Sequence, residues 1–250
     1  MTKRKSSLAA ALLFSLGAYA LLPTEAEAET GALKEKPKCG VGMIHILAGG
    51  FTMGDDKTTD KAGDVKVAEY CLDRTEVTAS AYEACVKSGK CTATQGGDPA
   101  CNAGVADRKN HPINCVDWNQ AKAYCESLGR RLPTEEEWEY AARGRDGRVY
   151  PWGKDQPAGQ LCWSRASDGK PNTTCPVASY AKGNSPFGVA DMAGNVFEWT
   201  SSEDGVHRAT RGGSWVLENP DFVRAAFRVK SNPAMQDAGL GFRCASAPLR

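Results

Sequence analysis

Ten cysteines are the residues of this 250-residue chain best suited to do chemistry. An even number of cysteines can pair as disulfides, or some can serve as thiolate ligands for a metal. Zinc sites usually contain close pairs such as C-x-x-C, and the chain has none, while its three histidines, His45, His111 and His207, lie far apart. The pattern therefore favours disulfides over zinc. The cysteines are Cys39, Cys71, Cys85, Cys91, Cys101, Cys115, Cys125, Cys162, Cys175 and Cys244.

Other catalytic patterns are missing from the sequence. It contains no G-x-S-x-G nucleophile elbow, no glycine-rich phosphate loop ahead of a helix and no close pair of histidines. Glu135, Glu136, Glu137 and Glu139 resemble a general-acid cluster. Acidic residues at such spacing more commonly cap a helix and interact favourably with its dipole. We interpret them in that way.

The N-terminal segment predicts export. Basic residues 3–5 precede an apolar run over 8–22, and Ala26-Glu27-Ala28 supplies small residues before a cleavage point. The run is about 15 residues long, short of the roughly 20 that a membrane-spanning helix needs. Residues 1–28 are therefore predicted to be a signal peptide and 29–38 a flexible leader. This indicates a secreted or periplasmic protein with no membrane span after cleavage, in a compartment where disulfides persist.

The charge balance excludes two classes of partner. The chain has 31 basic and 30 acidic residues, for a net charge of +1. Proteins that neutralise nucleic-acid phosphates or bind anionic membranes by bulk charge carry a basic excess. We therefore expect neither a nucleic-acid partner nor a polybasic membrane surface.

Regular secondary structure is predicted to be sparse. Three helices have clear signals, with N-caps at Thr78, Asp117 and Thr134 and terminating glycines at Gly89, Gly129 and Gly144. Gln120 and Glu137 stand in capping-box positions. Short extended runs are predicted at 43–47, 177–179, 214–217 and 223–229. With so little regular structure, disulfides and a bound metal are expected to contribute to stability.

Several motifs follow one another in an ordered set. They span Gly49–Gly54, Glu76–Thr78, His111–Cys125, Arg131–Gly144, Tyr150–Gly153, Ser185–Trp199, Arg211–Trp215 and Gly241–Cys244. Together they resemble the formylglycine-generating enzyme family, also called the sulfatase-modifying-factor domain. The resemblance implies that residues 39–250 form an α+β domain, a disulfide-rich, C-type-lectin-like variant with low regular secondary structure.

The resemblance also implies a structural calcium ion on the loop 191–198. Its ligands would be the Asp191 and Glu198 carboxylates and the Gly194 and Val196 carbonyls. Calcium is bound by such mixtures of oxygens at about 2.3–2.6 Å, and a glycine helps the loop turn its carbonyls inward. The alternative is a tight turn in which the two carboxylates only accept backbone hydrogen bonds.

Part of the disulfide pattern is also implied by the resemblance, which pairs Cys125 with Cys244. Cys162 and Cys175 flank one short loop and are expected to pair. The connectivity among Cys85, Cys91, Cys101 and Cys115 is left open, and Cys39 and Cys71 remain as the last pair.

One departure from the family affects catalysis. Active members hold copper(I) with two cysteines shortly after G-G-S and use oxygen to convert a substrate cysteine to formylglycine; thiolates are the soft ligands that copper(I) requires. At the matching positions this chain has Leu217 and Phe222, whereas Ser214 is retained. Phe197 replaces the tryptophan usual in the family. We therefore expect no copper and assign no catalytic residue.

Two functions remain in competition. The first is a pseudoenzyme: a secreted, calcium-stabilised module that binds a peptide, glycan or protein, with Trp163, Trp215 and Arg224 as candidate groove residues. The alternative is an active oxidoreductase of the formylglycine-generating type that uses a non-standard site. A structural component of a secreted assembly is a third hypothesis, which the sequence does not separate from the first.

Overall fold

The computed structural model describes residues 39–55, 57, 63–95, 97–164 and 173–249. These residues belong to a single unit, Pro37–Arg250. The predicted signal peptide and leader lie outside the described residues. Within the described part, no helix has the length and apolar character needed to cross a bilayer.

The three predicted helices are present and begin at their predicted caps. They are α1, Ala79–Lys87; α2, Trp118–Ser127; and α3, Glu135–Arg143. Thr78 accepts a hydrogen bond from a first-turn amide of α1. Asp117 with Gln120, and Thr134 with Glu137, form reciprocal capping boxes. These caps satisfy amides that a helix leaves unpaired, which explains why the boundaries were predictable.

Nine short strands and three 3-10 turns, Ala106–Arg108, Ala181–Gly183 and Pro220–Val223, complete the regular structure of the described residues. The strands are β1, Met43–Ile46; β2, Gly49–Met53; β3, Gly63–Val67; β4, Tyr70–Asp73; β5, Phe197–Asp204; β6, His207–Arg211; β7, Arg228–Ser231; β8, Leu240–Gly241; and β9, Ala245–Ser246. They form the sheets β1-β4-β9, β2-β3 and β7-β6-β5-β8. All pairs are antiparallel except β5 with β8.

Of the four predicted extended runs, only 43–47 is confirmed, as β1. The run 177–179 is not a strand because Ala178 has a φ of +59°, and its amide donates to Asp191. The run 214–217 is a turn that is closed by a hydrogen bond from Leu217 N to Ser214 O. The run 223–229 is wrong in its boundaries, because a 3-10 turn ends at 223 and β7 starts at 228.

Five disulfides join all ten cysteines. The expected pairs Cys39–Cys71, Cys125–Cys244 and Cys162–Cys175 are present, and the open set resolves into Cys85–Cys91 and Cys101–Cys115. The Cys125–Cys244 bond spans 119 residues and ties α2 to the chain just before β9. Bonds that close long loops remove the most conformational freedom from the unfolded chain.

The four-stranded sheet separates two environments. Glu198, Arg211 and Arg228 are register partners and share the face that contacts α3. Trp199, Thr210 and Val229 are likewise register partners, and they share the opposite face. Successive side chains alternate across a strand, so one face carries charges covered by α3 while the other carries both apolar and polar side chains. That second face forms the floor of the candidate site.

Candidate functional site

The turn Gly212-Gly213-Ser214 follows β6 at the edge of this second face. Both glycines have positive φ, 97° and 75°. A β-carbon at Gly213 would lie 2.7 Å from the carbonyl oxygen of Phe222 and 3.2 Å from Leu217 Cδ1. Gly213 therefore lies against both positions that the sequence resemblance matches to the family's copper-binding cysteines. The fold brings these two positions together.

Both positions carry hydrocarbon side chains. Leu217 packs against an apolar cluster that contains Tyr150 and Trp163. Phe222 is 40% exposed, and its ring lies 5.1 Å from that of Phe227. Every cysteine of the chain is in a disulfide, so no thiol is available at this place. The residues present do not fit copper(I), which needs soft ligands.

A cavity of about 340 Å³ lies over the second face of the sheet. Its lining residues are Phe197, Thr210, Ser214, Val216, Val229, Lys230, Ser231, Asn232, Met235, Asp237, Gly239 and Leu240. Two of them, Val216 and Met235, are exposed hydrophobic side chains. Flexible methionine and exposed apolar groups around a concave site are typical of surfaces that bind another molecule.

Ser214 is a buried residue in the lining of this cavity. The residue is 1% exposed, and its hydroxyl has no hydrogen-bond partner among the described residues. A β-carbon at Gly239 would come within 2.9 Å of that hydroxyl oxygen, so glycine is needed there. A buried hydroxyl without a partner costs about 1–3 kcal/mol. The hydroxyl oxygen is itself buried, so it offers no contact to a molecule in the cavity.

The structure does not gather the predicted groove residues at this cavity, and none of the three lines it. Trp163 is buried and donates to Ala158 O. Trp215 donates from Nε1 to Ala238 O at 3.1 Å. Arg224 is buried in an ion pair with Asp55. Their side chains are therefore occupied by contacts within the protein.

The predicted calcium loop has an unusual backbone. Asp191, Gly194 and Asn195 all have positive φ, between 57° and 77°. The Gly194 backbone packs so closely against Cys162 that a β-carbon would lie 2.4 Å from the Cys162 carbonyl oxygen. The side-chain oxygen of Asn195 accepts a hydrogen bond from Cys175 N at 3.0 Å. The Cys162–Cys175 disulfide therefore supports the loop from one side.

Glu198 is bound within the protein. Its Oε2 accepts hydrogen bonds from Trp138 Nε1 at 2.8 Å and Arg243 Nε at 2.6 Å, and its Oε1 accepts from Arg243 Nη2 at 2.7 Å. Both members of this ion pair are fully buried. Across the described ranges, no three His, Cys, Asp or Glu side chains are grouped so that they could hold a metal ion. Calcium at Asp191, Gly194, Val196 and Glu198 stays a prediction.

Glu76 is a buried acidic residue that the sequence analysis did not single out. It is 1% exposed, its Oε1 accepts a hydrogen bond from Asn195 Nδ2 at 2.9 Å, and its carboxyl group is also hydrogen-bonded to the Asp191 carboxyl. Burial raises the pKa of Glu76 well above its usual value, and the neighbouring Asp191 carboxyl adds to this shift. Burial also raises the pKa of Asp191. The only sequence signal was its place in Glu76-Val77-Thr78.

The glutamates of α3 have two different roles. Glu137 completes the predicted capping box. Glu135 and Glu139, however, do more than complement the helix dipole, because both are buried and form ion pairs with Arg211. Glu139 also pairs with Arg143 at 2.6 Å. The prediction that these glutamates only cap the helix is therefore incomplete. Glu135 and Glu139 form ion pairs with Arg211 of β6, which is distant from α3 in the sequence.

The comparisons with known proteins agree with this architecture. Residues 28–248 match the sulfatase-modifying factor enzyme 1-like domain, and the chain belongs to this family. It is 40% identical over 166 residues to an inactive C-alpha-formylglycine-generating enzyme 2 of Bos taurus, covering 59% of this chain and 54% of that relative. The chain thus spans about half the length of that relative. It is also 29% identical over 301 aligned residues to a formylglycine-generating enzyme of Streptomyces coelicolor, covering 90% and 95% of the two chains.

Solved structures support the fold. PvdO from Pseudomonas aeruginosa matches with a TM-score of 0.69 and 30% identity, over 82% of this chain and 94% of that chain. CarF matches with a TM-score of 0.66 and 23% identity, over 84% and 99%. The family resemblance and the mixed, disulfide-rich fold with few helices are confirmed, and a C-type-lectin-like fold is consistent with these neighbours.

Proposed function

We propose that this protein is a non-catalytic, ligand-binding member of the family. The proposal rests on the two positions matched to the copper cysteines. Leu217 and Phe222 occupy them, both lie against Gly213, and every cysteine of the chain is in a disulfide, so no thiol can act there. Without thiolates, the copper(I) chemistry of the active members has no ligands here. The similarity to a bovine relative that is named inactive supports the same conclusion.

The proposed ligand site is the cavity over the second sheet face. Its volume of about 340 Å³ falls in the usual range for ligand pockets, about 300–1,000 Å³. Val216 and Met235 supply apolar contact area at the cavity, while Lys230, Asn232 and Asp237 are polar residues of its lining. This mixture suits a peptide segment of a partner, with an apolar side chain inside the cavity and polar backbone groups at the polar part of its lining.

We also propose that the protein is exported and stabilised by calcium. Five disulfides support export, because such bonds persist in oxidising compartments. Expression of the full chain in a bacterial host with a periplasm tests this. Intact mass should show a mature protein that begins at Glu29, and recovery of an uncleaved cytoplasmic chain would contradict export.

Two assays test the binding proposal. In the first, the mature protein is incubated with copper(I), oxygen and a peptide containing C-x-P-x-R, beside the Streptomyces coelicolor enzyme as a positive control. We expect no aldehyde by hydrazide labelling. Aldehyde formation by this protein would overturn the non-catalytic assignment.

In the second assay, a phage-displayed library of random 12-residue peptides is selected on the mature protein. Selected peptides should bind the wild type and lose at least tenfold in affinity for Val216→Lys. The matched control is Val206→Lys, because Val206 is 83% exposed on the β5–β6 hairpin and does not line the cavity. Equal binding to both variants, or no selected peptide, would argue against the cavity as the site.

A further inference from the structure

A second cavity, of about 330 Å³, lies where α3 ends. Its side-chain lining comes from Leu47, Arg145, Asp146, Arg148, Pro186 and Phe187. None of these residues lines the cavity over the second sheet face. We propose that the second cavity binds a small organic acid, with the carboxylate on Arg145 and the apolar body against Leu47 and Phe187. This acid would be bound in addition to the proposed peptide.

Arg145 is a cation that the fold holds in place. Its Nε donates to the Tyr140 hydroxyl at 3.1 Å, and its Nη2 donates to Ala48 O at 2.7 Å. Gly49 makes room for this arrangement, because a β-carbon there would lie 2.8 Å from Arg145 Nε and would clash with the Tyr140 hydroxyl. Among the described residues, Arg145 Nη1 has no hydrogen-bond partner. The guanidinium is therefore anchored and keeps N–H groups for a ligand.

The charges around this cavity leave one cation uncompensated. Asp146 accepts hydrogen bonds from Arg148 Nε at 3.0 Å and from Arg148 Nη2 at 2.6 Å, so these two charges compensate each other. Arg145 bonds only to uncharged oxygens, and no carboxylate of the described residues forms an ion pair with it. A guanidinium without an anionic partner attracts a carboxylate, which it binds through charge-assisted hydrogen bonds. The charge of the lining therefore favours an anion.

Hydrophobic side chains lie beside this cation. Leu47 is 58% exposed, and the next residue in the chain supplies the carbonyl group that anchors Arg145. Phe187 is partly buried, and its ring lies 5.3 Å from that of Tyr140. An exposed ion pair contributes little by itself, whereas burial of apolar surface is favourable. We therefore expect the ligand to combine its carboxylate with an apolar or aromatic body.

The lining favours a small acid over a peptide chain. A peptide brings amide N–H and C=O groups that need partners when they are buried. The lining offers few, because Asp146 and Arg148 bond to each other and Arg148 also donates to Pro151 O. A volume of about 330 Å³ is at the lower end of the usual range for ligand pockets, about 300–1,000 Å³. An acid such as 3-phenylpropanoate meets these requirements.

The test titrates the mature, disulfide-bonded protein with 3-phenylpropanoate and with octanoate, followed by calorimetry and ligand-observed NMR. The matched neutral ligand is 3-phenylpropanamide, which has the same shape as the aromatic acid but no charge. We expect the acids to bind and the amide to bind at least tenfold more weakly. Raising the ionic strength should also weaken binding of the acids, because the ion pair is exposed to solvent.

Two pairs of variants locate the site. Arg145→Gln should weaken binding of 3-phenylpropanoate at least tenfold, whereas Arg74→Gln removes an exposed arginine outside the cavity and should leave Kd unchanged. Leu47→Ser should weaken binding about threefold or more. Its control is Leu128→Ser, because Leu128 is 50% exposed and does not line the cavity. All four residues are exposed, and an unchanged far-ultraviolet circular dichroism spectrum checks that each variant is folded.

Three results would overturn the proposal. If the amide binds as tightly as the acid, or if Arg145→Gln keeps the wild-type affinity, Arg145 does not recognise a carboxylate. If neither acid binds but a peptide ending in phenylalanine binds through Arg145, the occupant is a peptide C-terminus and the small-acid assignment is wrong. If neither the acids nor this peptide bind, the cavity is not a carboxylate site.

Discussion

Glu139 on α3 offers a quantitative test of the buried ionic network. The residue is fully buried and accepts hydrogen bonds from Gly54 N at 2.7 Å, Arg143 Nη1 at 2.6 Å and Arg211 Nη2 at 2.5 Å. Glu139→Gln removes the charge but keeps the side-chain shape, which leaves two buried arginines short of a partner. Breaking a buried pair from one side costs about 3–5 kcal/mol. We expect the lower end, about 3 kcal/mol, because Arg211 retains Glu135 at 2.9 Å.

The assay is urea unfolding of the disulfide-bonded mature protein, followed by far-ultraviolet circular dichroism and analysed by linear extrapolation. Glu126→Gln is the matched control, because it breaks an exposed pair with Lys122, whose side chain is 44% exposed. Exposed helix pairs contribute only about 0.3–0.5 kcal/mol. If Glu139→Gln lowers the unfolding free energy by less than about 1 kcal/mol, where one-sided loss of a buried pair should cost several, the reasoning about these charges is wrong.

Three further predictions concern the turn, one histidine and one disulfide. Gly213→Ala should lower the free energy of unfolding by about 2–3 kcal/mol in the same assay, because Gly213 has a positive φ and its β-carbon would lie 2.7 Å from the Phe222 carbonyl oxygen. The control is Gly188→Ala, which should cost less because Gly188 has a similar φ but open space around the added β-carbon. Burial lowers the pKa of His111, so the folded state disfavours its protonation. The free energy of unfolding should therefore fall as pH drops below about 6.5. If His111→Gln shows the same dependence of unfolding free energy on pH as wild type, this prediction is wrong. Replacing Cys125 and Cys244 together by serine should cost about 5 kcal/mol on the chain-entropy account, and an unchanged Tm would refute it.

The helices, their caps and the family were predictable from local sequence. A capping box depends on residues three apart, and α2 and α3 begin where Asp117 and Thr134 indicate. The family motifs are likewise contiguous stretches. In contrast, three of the four predicted extended runs failed. Ala178 has a positive φ within the predicted run 177–179, and Gly213 has one directly before the predicted run 214–217. In both places the chain turns where a strand was predicted. Local hydrophobicity does not report such backbone conformations.

The sequence by itself determined that the two positions matching the copper cysteines are hydrocarbon and that ten cysteines are available for pairing. Only the tertiary structure decided which buried polar groups are paired. It paired Glu198 with Arg243, bonded Asn195 to Glu76, and placed the unpaired Ser214 hydroxyl beside Gly239. These contacts join residues from 25 to 119 positions apart in the chain. Burial and charge compensation are properties of the packed chain, and they cannot be inferred from spacing along it.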